Sequence, residues 1–231
     1  MNIETLKLPI IEQNIIAEKT CEVAFSLDKK EFSFFAGQYI RVSIPKLLYP
    51  DQKGSSRLFS IASSPNDKNK ISVCFRDSDS GFKRTLMELP LGSFVAIEGP
   101  FGYFTLPKNQ NQSIVLIAGG IGITPCISMI RYAIEEKLAH PMTLLYSNRN
   151  AENAAYLEEL TAIAKKQNPR FLFKNQFGRI DANFIQQSVK NLTEPVWYIV
   201  GLPAMVAEMR DLLAHLGVSE VKVYFEDFTG Y

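Results

Sequence analysis

The sequence predicts two units in series, an antiparallel β-barrel followed by an α/β unit whose parallel sheet carries helices on both faces, and three observations predict it. Over residues 6–106, short runs rich in β-branched and aromatic residues recur between turn signals, the spacing of an all-β barrel. From Ile114 onward, apolar strand-like runs alternate with helical patterns, as in βα units. Between these textures lies a polar, asparagine-rich link at 107–112.

In order, the strand candidates of the first unit are 21–27, 38–44, 57–62, 71–75 and 93–98, and one short helix at 82–88 interrupts them. Breaks fall at 28–30, 50–56, 63–70 and 89–92, where turn-forming and charged residues cluster. The second unit opens with a strand at 114–118, whose unbroken apolar run suits burial on both faces of a parallel sheet. Strands at 143–146, 171–173, 196–200 and 221–225 then alternate with helices at 153–167, 182–192 and 204–216. Pro141 is expected to stop the unit's first helix, Pro169 to follow the second, and Gly217 to stand just past the last.

The turn Ala118-Gly-Gly-Ile-Gly-Ile-Thr-Pro125 joins the first parallel strand to its helix. Gly119, Gly120 and Gly122 allow positive φ and close approach of another molecule, while Thr124 and Pro125 read as an N-cap and first helical residue. Backbone amides and the macrodipole at such a start favour phosphate. The spacing is neither Gly-x-Gly-x-x-Gly nor a Walker loop, so the turn alone indicates a nucleotide seat without naming the nucleotide.

Composition sets the bounds. With 231 residues, 46% hydrophobic and 21% charged, the chain is long enough for two modest domains with real cores. A formal net charge of +1 gives no argument for nucleic acid or an anionic membrane surface. The stretch 113–130 carries no charge, but three glycines and a proline interrupt it and Arg131 follows, so it reads as a buried strand and helix, not a membrane span. Three scattered cysteines, Cys21, Cys74 and Cys126, and an amino terminus without a signal-peptide core point to a reduced, cytoplasmic protein.

Five motifs in register, Arg57-Leu-Phe-Ser60, Gly99-Pro-Phe-Gly102, Ala118 to Pro125, Gly201-Leu-Pro-Ala-Met205 and Glu226-Asp-Phe-Thr-Gly-Tyr231, resemble the ferredoxin-NADP reductase family of flavoenzymes over nearly the whole chain. The resemblance implies a flavin-binding Greek-key β-barrel at 1–108 and an NAD(P)-binding, doubly wound α/β domain at 109–231 with a flavin-facing carboxyl-terminal tail. It implies FAD, with FMN as the other option, and NADPH or NADH as electron donor.

Residue by residue, the resemblance assigns Arg57 to flavin phosphate, for which its bidentate fork is suited. Leu58 and Phe59 fall on the same strand, with Phe59 lying against the isoalloxazine, and Ser60 is set near flavin N5. Gly81, Lys83, Arg84 and Thr85 fall where the family binds flavin phosphate at a helix start, although many relatives carry a hydroxyl at the position of Lys83. Cys74 and Arg76 border the adenosine side. Gly120, Gly122, Ile123, Thr124 and Pro125 would receive the nicotinamide nucleotide, and Gly201, Pro203 and Met205 would close its other side. Val200 stands where members commonly have cysteine. Ser147 and Arg149 would lie at the adenine ribose. At the tail, Glu226 is the candidate for orienting Ser60 or moving protons, and Phe228 or Tyr231 would cover the flavin.

The implied activity is hydride transfer from the nicotinamide to flavin N5, followed by electron transfer to a separate acceptor: ferredoxin, flavodoxin, an oxygenase component or a small oxidant. Three cysteines without cluster spacing do not supply the ligands of a plant-type iron-sulfur centre in this sequence. Two other readings stand beside it: a flavin or ferric-chelate reductase with a small-molecule acceptor, and a non-catalytic electron-relay or nucleotide-sensing subunit. Acceptor, oligomeric state and the choice between NADPH and NADH stay open at this level.

Overall fold

A computed structural model of the chain describes residues 4–167 and 170–228. The first unit comprises β1 (Glu4–Ala17), β2 (Thr20–Ser26), β3 (Tyr39–Ser43), β4 (Ser56–Ser60), β5 (Lys70–Arg76), α1 (Gly81–Glu88) and β6 (Phe94–Phe101). The second comprises β7 (Ile114–Gly119), a 3-10 turn (Gly120–Gly122), α2 (Ile123–Glu135), β8 (Met142–Asn148), α3 (Leu157–Gln167), β9 (Phe171–Phe177), α4 (Ala182–Ser188), β10 (Val196–Gly201), α5 (Pro203–His215), a second 3-10 turn (Glu220–Lys222) and β11 (Val223–Asp227).

The six front strands form one antiparallel sheet in the order β4-β3-β6-β1-β2-β5. An antiparallel bridge between Ile61 and Val73 joins the two outer strands, so the sheet curls into a barrel. Leu8, Val23, Phe25, Ile40, Val42, Val73 and Phe75 fill its interior. The long β1 is the strand the sequence reading omits. Its first half pairs with β6 and its second with β2, across a register shift after Ile10. Pro9, which cannot donate to a ladder, breaks the alternation that would have marked it.

The five rear strands are all parallel, in the order β11-β10-β7-β8-β9. Alternate residues of β7 face opposite layers: Ile114, Leu116 and Ala118 face α2 and α3, while Val115 and Ile117 face α4 and α5. The strand order reverses between β7 and β10, so the two glycine turns after these strands flank one crevice at the sheet's carboxyl edge.

Several boundaries differ from the sequence reading. The first parallel-unit helix ends at Glu135, where Lys137 turns into the left-handed region with φ of 54°, well before Pro141. The second begins at Leu157 rather than 153, after Tyr156 at φ 60°, and α4 stops at Ser188. Strands β8 and β9 run past 146 and 173, because their later residues extend the parallel ladder. The last strand starts at Val223, two residues late, behind a 3-10 turn. Gly217 does follow the last helix in the left-handed conformation, φ 82°. Pro169 lies outside the described residues.

The two units are joined by buried and partly buried polar contacts. Ser128 Oγ donates to Ser63 O at 2.7 Å and Arg131 donates to Ala62 O at 2.8 Å. The Tyr198 hydroxyl donates to Thr105 O at 2.7 Å, with the Phe104 ring packed edge-on against it. Among the described residues no helix is long and apolar enough to cross a membrane.

Candidate functional site

Two clefts lie at the seam. The smaller, about 370 Å³, is lined by Tyr39, Leu58, Phe59 and Ser60 from the barrel and by 225–228 from the carboxyl-terminal segment. Strand β11 brings that segment in: Glu226 pairs with Val200 in the parallel register, and Phe228 N donates to Gly201 O at 3.0 Å. Ser60 and Glu226, far apart in sequence, therefore share one space. The Ser60 hydroxyl and one Glu226 carboxylate oxygen are buried without a hydrogen-bond partner among the described residues. Burial, helped by the neighbouring Asp227 charge, pushes the Glu226 carboxyl up to about 7.

The larger cleft, about 670 Å³, lies over the carboxyl edge of the parallel sheet. Gly119, Gly120, Ser147, Asn148, Arg149, Leu202, Ala204 and Met205 line it from the rear unit; Arg76, Asp77, Ser78 and Lys83 line it from the barrel. Val200 and Gly201 pair with Glu226 and Asp227, and the chain then runs directly into Leu202, which borders this cleft.

The three glycines of the turn do different things. Gly120 sits at φ 52° and faces the cleft, with the Arg76 guanidinium 3.8 Å from where a Cβ would project. Gly119 and Gly122 are instead required by the chain's own packing: a Cβ would stand 2.1 Å from the Met205 sulfur at the first and 2.4 Å from Val200 O at the second. Thr124 is not the N-cap. Gly122 holds that place, and the buried Thr124 hydroxyl donates backward to Ile121 O at 2.8 Å. Ile123, Thr124 and Pro125 are all buried inside the second core, so they shape the turn rather than line the cleft. On the far side Met205 lines the cleft, Gly201 packs against its sulfur, and Pro203 is exposed at the first turn of α5.

In the barrel, the residues expected at flavin phosphate are engaged by the chain itself. Arg57 pairs with the Asp51 carboxylate and donates to the carbonyls of Lys53, Gly54 and Ser56. The other Asp51 oxygen accepts from Phe82 N at 2.9 Å and from Ser80 Oγ at 2.7 Å, at the start of α1. Burial works to raise the Asp51 pKa, but the hydrogen bonds from Phe82, Ser80, Lys53 and Arg57 outweigh it and hold the carboxyl well below its ordinary range. Gly81 leaves no room for a side chain, since a Cβ would meet Pro50 O at 2.2 Å. Thr85 Oγ1 accepts from the amide of Leu48 at 3.1 Å. The Arg84 guanidinium lies 3.8 Å from the centre of the Tyr49 ring.

Phe59 borders the smaller cleft from within the barrel wall. Its ring is in the barrel core, stacked on Phe82 at 6.0 Å and against Phe75 at 5.5 Å, while Leu58 is exposed. Cys74 is buried between the two units, and burial raises its thiol pKa, as it does for Cys126 in α2. Lys83 reaches the edge of the larger cleft with its Nζ donating to Arg76 O at 3.1 Å; burial, then the Arg57 charge, brings its pKa down to about 8. Arg76 donates to Asn153 O at 3.2 Å and bridges the units. Phe228 lines the smaller cleft; Tyr231 lies outside the described residues.

Sequence reasoning missed Tyr39, Asn148, Arg179 and Asp51. Tyr39 lines the smaller cleft, and Gly102 is needed because a Cβ there would strike its ring at 2.9 Å, so the Gly99-Pro-Phe-Gly102 motif was the available signal. Asn148 buries both polar atoms of its amide beside the larger cleft with no hydrogen-bond partner among the described residues. Arg179 follows Gly178 in the loop after β9 and adds a third guanidinium, beside Arg76 and Arg149, to that mouth.

The residues suit a flavin at one end only. A ring with a polar edge would satisfy Ser60 and Glu226 in the smaller cleft. The phosphate end, at Arg57 and the α1 start, does not accept an anion in this conformation because Asp51 is already there.

Comparison with known proteins follows these halves. Residues 7–106 match the oxidoreductase FAD-binding domain and residues 116–211 the oxidoreductase NAD-binding domain. The chain is 28% identical over 84% of its length to a flavohemoprotein of Bacillus subtilis, covering 51% of that protein. It is 24% identical over 86% of its length to the reductase component of propane 2-monooxygenase from Mycolicibacterium goodii, covering 60% of it. The chain thus spans about half to three-fifths of these curated relatives. Among solved structures, phthalate dioxygenase reductase superposes with a TM-score of 0.79 at 26% identity, over 98% of this chain and 70% of the other. A ferredoxin-NADP+ reductase from Plasmodium falciparum superposes at 0.78 with 19% identity, over 97% and 96%, a likeness of fold.

Proposed function

Because the chain belongs to the ferredoxin-NADP reductase family of flavin- and nicotinamide-dependent oxidoreductases, we propose that it oxidises NADPH or NADH and passes the electrons through a flavin to a separate acceptor. The observation that carries this is the meeting of Ser60 and Glu226 in one cleft, the serine hydroxyl and one carboxylate oxygen buried without a partner among the described residues, in a chain whose parallel sheet opens a second, glycine-lined cleft at its switch point.

Bound flavin supplies the conversion of a two-electron donor into one-electron steps. The protein's part is positioning and electrostatics. Ser60 would hold the polar edge of the ring by its hydroxyl. Glu226, poised near neutrality by burial, would take up or release a proton at that edge. Phe228, tied to Gly201 through its amide, would pack on the ring and exclude water until a nicotinamide displaces it. Gly120 and the Met205 side would flank the nucleotide, with Ser147, Arg149 and Arg179 at its ribose end. The barrel at 1–108 and the nucleotide domain at 109–231 are the proposed division of labour, with Arg57, Gly81 and Thr85 left to a phosphate only if the segment 47–54 withdraws.

The acceptors we propose are those of the reductase-component relatives, a separate oxygenase component or ferredoxin. A small-molecule acceptor is the second reading, favoured by the engaged phosphate seat, which suits a flavin that comes and goes. The three buried, unpaired cysteines support a reducing, cytoplasmic setting. Steady-state oxidation of NADPH and NADH with free flavin, ferric chelate and a ferredoxin as alternative acceptors tests the reading. Turnover with at least one acceptor is expected; no nucleotide oxidation with any of them would refute it.

A further inference from the structure

We propose that Asp51 makes this chain select against phosphate-bearing flavins, by placing a carboxylate of its own in the seat that a flavin phosphate would otherwise take. The inference rests on the flavin reading given above and concerns which flavin the same site admits.

The α1 start has the parts of an anion seat: a backbone amide at Phe82, the Ser80 hydroxyl and the Arg57 guanidinium converge on one point. One carboxylate already satisfies all three, with Oδ1 on Arg57 and Oδ2 on Ser80 and Phe82. The ion pair is largely withdrawn from solvent, its side chains retaining 13% and 6% of their exposure, so it is weakly screened. The occupant is anchored from both sides of Asp51. Before it, the Leu48 amide is bound by Thr85 and the Tyr49 hydroxyl donates to Glu88 on α1, while Pro50 O sits against Gly81. After it, Lys53 N donates to Asp51 Oδ1 at 2.8 Å, and the Lys53 and Gly54 carbonyls accept from Arg57. A phosphate entering here would meet a like charge at contact distance and would have to break an Arg-carboxylate pair and these anchors. A flavin without phosphate meets none of this, since the ring-facing pair Ser60 and Glu226 lies in the other cleft.

The test is binding of riboflavin, FMN and FAD, followed by flavin fluorescence, to the wild-type chain and to Asp51→Asn and Asp51→Ala, with circular dichroism confirming that the variants fold. For the wild type, riboflavin is expected to bind at least about tenfold more tightly than FMN or FAD. In the variants the ratio of FMN and FAD affinity to riboflavin affinity should rise by about tenfold or more, as Arg57 and the α1 amide become available. Wild-type protein that binds FMN or FAD as tightly as riboflavin overturns the inference without recourse to any variant, and so does a folded variant in which all three affinities shift together. If neither the wild type nor the variants bind any of the three flavins, the flavin reading itself falls, and this inference with it.

Discussion

Two regions of this molecule start from one sequence signal, a glycine beside a helix start, and end differently. At α1, Gly81 lets the 47–54 segment come so close that the Pro50 carbonyl fills the place of a side chain while the Asp51 carboxylate accepts from Phe82 N and pairs with Arg57. At the edge of the parallel sheet, Gly120 turns at positive φ and faces a cleft of about 670 Å³. Glycine plus amide dipoles therefore identifies a place where something sits close to backbone. Whether that something is a ligand or the chain depends on a segment some thirty residues away in sequence. The Met205 and Val200 contacts of Gly119 and Gly122 make the same point inside the second unit.

The largest expected effect probes what lies between these regions. Glu226→Gln should lower the rate of flavin reduction by roughly 10²- to 10³-fold at neutral pH and remove any inflection of rate near pH 7, with Ser60→Ala giving a similar loss and leaving the inflection in place. Stopped-flow flavin bleaching across a pH series measures both; a full rate in Glu226→Gln would remove the proton-handling role.

The glycines of the two regions differ in what a side chain would strike. Gly122→Ala forces a Cβ onto the Val200 carbonyl and should destabilise by about 3 kcal/mol. Gly81→Ala is expected to cost about 1–3 kcal/mol although alanine is the better helix former by about 1 kcal/mol, because it drives the 47–54 segment outward. Urea titrations read both. A stabilised Gly81→Ala would mean that the segment is not held where the structure shows it.

A smaller effect follows from Glu226 in the absence of ligand. Its pKa is raised from 4.5 to about 7, so the folded state favours the protonated form. The stabilising contribution is complete below the unfolded pKa, declines as pH rises and is lost above about 7, a change of roughly 3–4 kcal/mol at most. The denaturation midpoint should fall across that window and fall less in Glu226→Gln. Smallest is Arg149→Ala, expected to raise KM for NADPH about tenfold and for NADH little if the exposed guanidinium meets a 2′-phosphate; equal shifts for both nucleotides would deny it that contact.

Much of the architecture was legible because its signals are local. The apolar run 114–118 announces a strand buried on both faces, and Gly217 marks the end of α5. The Arg57 to Ser60 strand and the Glu226 tail were legible as motifs, and the fold brings them to one cleft. What could not be read is non-local. Strand β1 is divided between two partners and broken by Pro9, so no single period runs through it. Asp51 lies in a stretch that reads as an ordinary turn, and its contact with Phe82 exists only once the barrel has closed. Phe59 was read from its motif, yet the ring's direction is decided by Phe75 and Phe82 from other elements.

The measurement closest to the central claim is the visible spectrum of the chain mixed with riboflavin under anaerobic conditions, before and after addition of NADPH or NADH. Bleaching of the flavin band, at a rate that depends on the protein and collapses in Ser60→Ala and Glu226→Gln, is the predicted result. A flavin that stays oxidised with both nucleotides, or bleaches no faster with protein than without, would contradict the account.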